Sequence, residues 1–259
     1  MKSGCGLIVW PESPAPFFAN DSVFRQAVTR LGQEASAYVV VGSLGLKQED
    51  RPGVPQQLFN SAALISPAGD WAARYDKVHL VPFGEYVPFK SIFVFAQKLT
   101  REVGDFNPGT SRQPLSAGGN RLGVFICYES IFPDEIRQFA RNGAQVLVNI
   151  SNDGWFGPTG APGQHLNMAR LRAIENRRWV LRATNTGITT VIDPFGRLIA
   201  SAPRNQRIAL NAPYALINDT TFYARHVDWF AYSCAIIGVA GLLLPFHTRL
   251  PGRLIWSKN

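Results

Sequence analysis

The sequence predicts an α/β or α+β domain followed by one C-terminal membrane-spanning helix. Three observations carry this. From Leu7 to Ala212, short apolar runs alternate with helical patterns. The 259 residues are 46% hydrophobic and 17% charged with no low-complexity tract, which suits one large core and excludes extensive disorder. From Trp229 to Phe246, eighteen residues pass without a charge, at the short end of a membrane span.

Strands are expected at Leu7–Trp10, Tyr38–Leu44, Phe59–Ser66, Leu122–Cys127, Val146–Ser151 and Thr189–Asp193, where apolar and β-branched residues cluster. Helices are expected at about Ser22–Ala35, Asp134–Asn142 and Gln164–Arg182. Pro and Gly mark the loops Lys47–Pro55, Phe83–Pro88 and Asn107–Asn120. No internal repeat is visible.

The catalytic-type domain is expected to cover residues 1–225, the membrane helix 226–248 and a short basic cytoplasmic tail 249–259. Trp229 and Tyr232 stand where an interfacial aromatic belt would lie. Arg249, Arg253 and Lys258 follow the span, so the positive-inside rule puts the C-terminus in the cytoplasm and the preceding domain outside. A buried core helix is the other reading of this segment. Cys234 within it reads as a lipid- or helix-facing residue. The first twenty residues hold Pro11, Glu12, Pro14 and Pro16 and no continuous apolar run, so no signal peptide is expected. An exported domain needs an export element, so the chain is expected to be a C-terminal fragment or a separately encoded half whose membrane-embedded N-terminal part is missing.

A net charge of +8 favours anionic partners, either nucleic acid or phospholipid headgroups. The basic residues are scattered, with only Arg177 and Arg178 adjacent, and no basic stripe is interleaved with aromatics; nucleic acid is not expected as a partner. Cys5, Cys127 and Cys234, and His79, His165, His226 and His247, have neither disulfide nor metal-ligand spacing, so no metal is expected.

Three segments have the residue types for acyl-transfer chemistry. In Leu122–Ser130, an apolar strand stops at Cys127 and a polar turn follows. A thiol at such a turn is lifted to a sheet edge near backbone N–H groups that lower its pKa and hold an oxyanion. In Leu7–Ser13, Glu12 follows a strand and a Pro in the same way and suits a general base. In Arg74–Pro88, Lys77 lies between a strand-like stretch and a Pro/Gly-rich loop, where its ammonium would stabilise a tetrahedral intermediate and favour the Cys127 thiolate. Singly, each has a plainer reading: a core thiol, a loop carboxylate and a surface lysine. Jointly, the three terminate strands of one predicted sheet, where α/β enzymes collect catalytic groups.

The blocks Trp-Pro-Glu-Ser, Tyr-Asp-Lys-Val-His-Leu-Val-Pro-Phe-Gly-Glu and Ile-Cys-Tyr-Glu resemble the three signature blocks of the nitrilase (carbon–nitrogen hydrolase) superfamily. Within it, Pro-Phe-Gly-Glu-Tyr-Val-Pro, Asn-Ile-Ser-Asn-Asp-Gly-Trp-Phe-Gly, Arg-Ala-Ile-Glu-Asn-Arg-Arg, Arg-Ala-Thr-Asn-Thr-Gly-Ile-Thr and the apolar tail are similar to the apolipoprotein N-acyltransferase family. The resemblance covers essentially the whole chain.

The resemblance implies a nitrilase-like αββα sandwich on a membrane-embedded helical domain, in the bacterial inner membrane with the catalytic domain on its periplasmic side. Cys127 is then the nucleophile towards a phospholipid ester, Glu12 the proton acceptor and Lys77 the oxyanion's partner. The acceptor is the amine of a diacylglyceryl-modified apolipoprotein, and no cofactor is needed. Glu85 is expected to position the lysine and acceptor, and Tyr128 and Glu129 to support the nucleophile. Trp155 is expected to line an acyl-chain entry, or else to pack as a loop anchor. Asn152 and Asp153 are expected either to form Asx-turn bonds or to meet substrate. Glu175 and Arg177 are expected in structural ion pairs. A leading strand of the family's sandwich is absent before Leu7, so a neighbouring sheet edge is expected to be exposed. The alternatives are a carbon–nitrogen hydrolase acting on a small amide or nitrile, and an inactive membrane-anchored fragment.

Overall fold

The computed structural model describes residues 6–12, 17–47, 56–88 and 106–243. Two sheets form its centre. The first has the order β1 (Leu7–Val9), β2 (Tyr38–Lys47), β3 (Gln57–Ile65) and β4 (Trp71–Asp76), with β1 and β2 parallel and the other pairs antiparallel. The second has the order β10 (Leu198–Ser201), β9 (Thr190–Ile192), β8 (Val180–Asn185), β7 (Val146–Asn152), β6 (Asn120–Ile126) and β5 (Leu115–Ala117). Its middle strands β6, β7 and β8 run parallel.

The period-2 alternation of β2 and β3 sends side chains to two buried faces. Val40, Ala62 and Leu64 meet Leu122, Val124, Ile126, Val148 and Ile150 in the core between the sheets. Val39, Val41, Ala63 and Ile65 face the other way, onto Phe24 and Val28 of α1 (Ser22–Ala35). Asp21 caps that helix by accepting the Phe24 N–H at 2.8 Å. The outer face of the second sheet is covered by α2 (Pro133–Arg141) and α3 (Ala161–Asn176) through Ile136, Phe139, Leu166, Ala169 and Ala173. The layering is therefore α–β–β–α, a nitrilase-like α/β fold. Gly123 lets β6 approach its neighbours: a Cβ there would fall 2.8 Å from Leu147 Cδ2 and 2.9 Å from Phe139 Cβ.

Several expectations are corrected. The helix expected over Gln164–Arg182 ends at Asn176, where Arg177 takes a left-handed cap at φ 53°, and Val180–Asn185 becomes β8. Six register pairs with β7 outweigh the helical charge pattern of that stretch. Arg178 is buried against the carbonyls of Ala144, Asn176, Arg177 and Asp219. Glu175 pairs with Arg172 at 2.6 Å. The loop expected over Asn107–Asn120 contains β5, and β4, β8 and β10 lie outside the expected strands. The loop residues 48–55 lie outside the described residues. β1 is an edge strand bonded to β2, and a cleft of about 960 Å³ runs beside it, lined by Leu7, Val9, Trp10, Thr186 and Leu210 among others.

The chain divides into two compact units, residues 1–225 and 226–259. Two helices follow β10: α4 (Phe222–His226) and α5, described over Trp229–Leu243. Among the described residues no helix is long and apolar enough to cross a membrane, so the expected span over 226–248 is not found; residues 244–248 lie outside the described residues. Phe230, Ile236, Ile237, Leu242 and Leu243 of α5 are exposed.

Candidate active site

The two sheets bring the expected residues to one place, but not from one sheet. Glu12 follows β1 and Lys77 follows β4, both in the first sheet; Cys127 follows β6 in the second. β1 and β4 point the same way because β4 is two antiparallel steps from β2, to which β1 is parallel. The site is thus built across the sandwich, where each wall contributes groups the other cannot reach.

Glu12 is buried. Its Oε1 accepts from Asn60 Nδ2 at 2.7 Å and lies 3.6 Å from Lys77 Nζ. Its Oε2 accepts the Asn152 N–H at 2.8 Å, a bond that ties the end of β1 to the end of β7. Lys77 is 1% exposed, and its Nζ donates to Glu85 Oε1 at 2.9 Å. Its backbone is held by Asn60 O and Gly109 N, both at 2.8 Å. Burial alone would depress the Lys77 pKa, but the charges of Glu12 and Glu85 and the Glu85 hydrogen bond outweigh it and raise it, so the ammonium is firmly charged. Glu85 sits in a tight turn in which Phe83 has φ 61° and donates its N–H to Tyr86 O at 2.7 Å. The second Glu85 oxygen accepts the Val81 N–H at 2.8 Å.

Asn60, on β3, was not singled out in the sequence, yet its Nδ2 also reaches Glu85 Oε1 at 2.6 Å. One amide nitrogen therefore donates to both carboxylates beside Lys77. The flipped amide would put an oxygen against two carboxylate oxygens, so this orientation is fixed by charge. Nothing local in Phe-Asn-Ser marks it; Glu12 is 48 residues away.

Cys127 occupies a left-handed conformation, φ 48°, at the start of a 3-10 turn, Cys127–Ile131. For a non-glycine residue this costs on the order of 1–2 kcal/mol. Glu129 holds one side of the elbow: its carboxylate accepts from Ile126 N–H and Tyr75 Oη at 2.7 Å, Val78 N–H at 2.7 Å and His79 N–H at 3.1 Å. Full burial pushes the Glu129 pKa up against these donors. The sequence suggested a depressed Cys127 pKa; the structure reverses this. Burial first, then the Glu12 charge, push the thiol up to about 12, and Lys77 and a Ser151 hydrogen bond only partly oppose them. The thiol is neutral at rest.

Tyr128 packs edge-on against Phe132 at 5.2 Å. Trp155, on the 3-10 turn Asp153–Phe156, is 77% exposed, which excludes the packed-anchor reading. Asn152 Oδ1 makes the expected local bond, accepting Gly154 N–H at 3.1 Å, while its backbone reaches Glu12. Among the described residues no group of His, Cys, Asp and Glu is arranged to hold a metal ion.

The carbon-nitrogen hydrolase family model matches residues 1–212. A Geobacter metallireducens protein named apolipoprotein N-acyltransferase is 43% identical over 94% of this chain and 46% of its own length. A Pseudomonas aeruginosa protein of the same name is 35% identical over 92% of this chain and 45% of its own length. The chain spans about half the length of the curated relatives it matches. Among solved structures, a carbon-nitrogen hydrolase from Helicobacter pylori G27 superposes with a TM-score of 0.59 at 19% identity, covering 93% of this chain and 86% of that one. An amidase from Nesterenkonia sp. gives 0.56 at 21% identity over 90% and 84%. These two show the shared fold. The family match, borne by a sandwich of this layering, leads to one conclusion: the chain belongs to the carbon–nitrogen hydrolase family.

Proposed function

We propose that this chain carries an acyl-transfer site that moves an acyl chain from a phospholipid, through a thioester on Cys127, to the amine of a diacylglyceryl-modified N-terminal cysteine of an apolipoprotein. The observation that carries the reading is the burial of Glu12, Lys77 and Glu85 in one hydrogen-bonded cluster, with the Glu12 and Lys77 charges acting on Cys127, in a chain 43% identical to a protein named for that activity.

A thiol kept neutral by burial needs a base at the moment of attack, and Glu12 is the carboxylate whose charge acts most strongly on it. Glu12 takes the thiol proton as Sγ bonds to the ester carbonyl carbon. The ester C–O bond then breaks, and the proton leaves on the lysophospholipid hydroxyl. In the second half the amine nitrogen attacks the thioester, Glu12 takes the ammonium-type proton and returns it to Sγ as the C–S bond breaks. Lys77, held charged by Glu12 and Glu85, stabilises the oxyanion in both halves. Glu85 and Asn60 fix the lysine and the base, Tyr128 and Glu129 support the elbow, and Trp155 lines the acyl entry. The scheme uses no cofactor. The exposed apolar side chains of α5, with Trp229 and Tyr232 at its start, seat the C-terminal segment in the bacterial inner membrane, with the catalytic domain on the periplasmic side.

Incubation with phosphatidylethanolamine vesicles is expected to add an acyl mass to the Cys127 peptide that hydroxylamine removes and a diacylglyceryl-cysteine peptide discharges. Equal acylation of Cys127→Ser through another residue would overturn the mechanism. Ammonia release from small amides without any thioester exchange to the peptide would favour the hydrolase reading instead.

A further inference from the structure

A buried polar chain lies under the nucleophile and is not used by the scheme above. His165, on α3, is 6% exposed and its Nε2 lies 2.9 Å from the carbonyl oxygen of Cys127, across 38 residues of sequence. Its Nδ1 lies 2.9 Å from Asp153 Oδ1. Asp153 also accepts from Ser151 Oγ at 2.7 Å and from Arg182 at 2.9 Å. Arg182 in turn is anchored on Asn149 Oδ1.

Donor and acceptor accounting settles the ring. A peptide carbonyl only accepts, so Nε2 carries a hydrogen. Burial pushes the Asp153 pKa up, but the His165 hydrogen bond and the Arg182 charge outweigh it and bring it below its ordinary value; its oxygens therefore also only accept. Nδ1 faces Asp153 Oδ1. Arg182, bonded to Asp153, also lies 3.1 Å from Nδ1. Turning the ring over would lose both bonds, and Phe156 packs edge-on against it at 5.8 Å. Gly187 is what lets Asp153 sit there, since a Cβ at that position would fall 2.2 Å from Oδ2.

We infer that His165 is a positioning residue for the nucleophile: its Nε2–H holds the Cys127 carbonyl and so keeps the thiol's backbone in the left-handed elbow. A core histidine satisfied only for its own sake would serve as well bonded to any carbonyl. This one reaches the strained residue itself, through its carbonyl, while Glu129 holds the preceding N–H of Ile126. Releasing it lets the elbow relax and displaces Sγ from Glu12 and Lys77, and misplacement by about 1 Å can cost up to about a hundredfold in rate.

The inference rests on Cys127 being the nucleophile. Two substitutions separate the ring's two bonds. In His165→Gln the amide nitrogen reaches the place of Nε2; in His165→Asn it reaches only that of Nδ1. With p-nitrophenyl butyrate, the burst of p-nitrophenol from the full chain reads acylation of Cys127. His165→Asn is expected to slow the burst about ten- to a hundredfold at unchanged half-saturating ester, and His165→Gln to restore most of the rate. A wild-type burst in His165→Asn overturns the inference. So does equal slowing in both variants while both melt as wild type, because ring shape and not the Nε2 donor would then matter. Ring-¹⁵N histidine spectra of the unmutated chain provide a readout free of folding defects: His165 Nε2 should be protonated and its N–H protected from exchange, and an unprotonated Nε2 refutes the role. Absence of any wild-type burst would sink the acyl-transfer reading, while those spectra still decide this one.

Discussion

Replacing Glu12 by Gln removes one buried negative charge beside Cys127 while keeping the side chain's size. Burial and Glu12, in that order, raise the thiol from 9.0 to about 12. Glu12 is the second of these causes, so removing its charge brings the thiol's pKa back towards its ordinary value. Each unit of pKa lowering gives about ten times more thiolate at pH 9, but a thiolate of lower pKa is about threefold less nucleophilic per unit. Iodoacetamide should consequently alkylate Cys127 about three- to tenfold faster in Glu12→Gln than in wild type, read by mass spectrometry of the Cys127 peptide. Acyl transfer should move the other way, falling about 10²–10⁴-fold with the base lost. Lys77→Met removes the charge that lowers the thiol's pKa, so there alkylation should slow. Unchanged or slower alkylation in a folded Glu12→Gln protein would refute the electrostatic account of the site.

Asn60→Ala leaves two carboxylate oxygens without their shared donor, and should cost about 1.5–3 kcal/mol in urea unfolding along with acyl-transfer rate. Gly187→Ala drives a methyl into Asp153 and should lower stability by about 1–3 kcal/mol, seen as a depressed melting temperature. Cys127 has a folded pKa raised above its unfolded one, so its contribution to stability is complete below about pH 9 and is lost as pH rises towards 12. Between pH 8 and pH 10.5, wild type should accordingly lose about 2 kcal/mol more than Cys127→Ala in urea titrations; equal losses would show that the thiol is not held neutral by the fold.

Much of the sandwich is legible in the chain. The runs around Tyr38–Lys47, Asn120–Ile126 and Val146–Asn152 are rich in apolar and β-branched residues because most of their side chains on both faces are buried. Less legible are the strands whose local pattern competes with another structure. Val180–Asn185 follows a helix without a Pro or Gly break, and only pairing with β7 makes it a strand. Leu115–Ala117 is three residues in a Pro/Gly-rich stretch, formed by its hairpin with β6. The tail reads as a span by composition, yet among the described residues no helix is long and apolar enough to cross a membrane.

The sequence alone determined which residues end strands and carry acid, ammonium and thiol, because chain breaks such as Trp-Pro-Glu and Ile-Cys-Tyr-Glu are local events written in consecutive residues. The tertiary structure decided that these residues come from two facing sheets, that Asn60 binds two carboxylates, and that Cys127 rests as a neutral thiol clamped by Glu129 and His165. Burial and charge–charge energies depend on distances between residues far apart in the chain, and those distances exist only once the sandwich has closed.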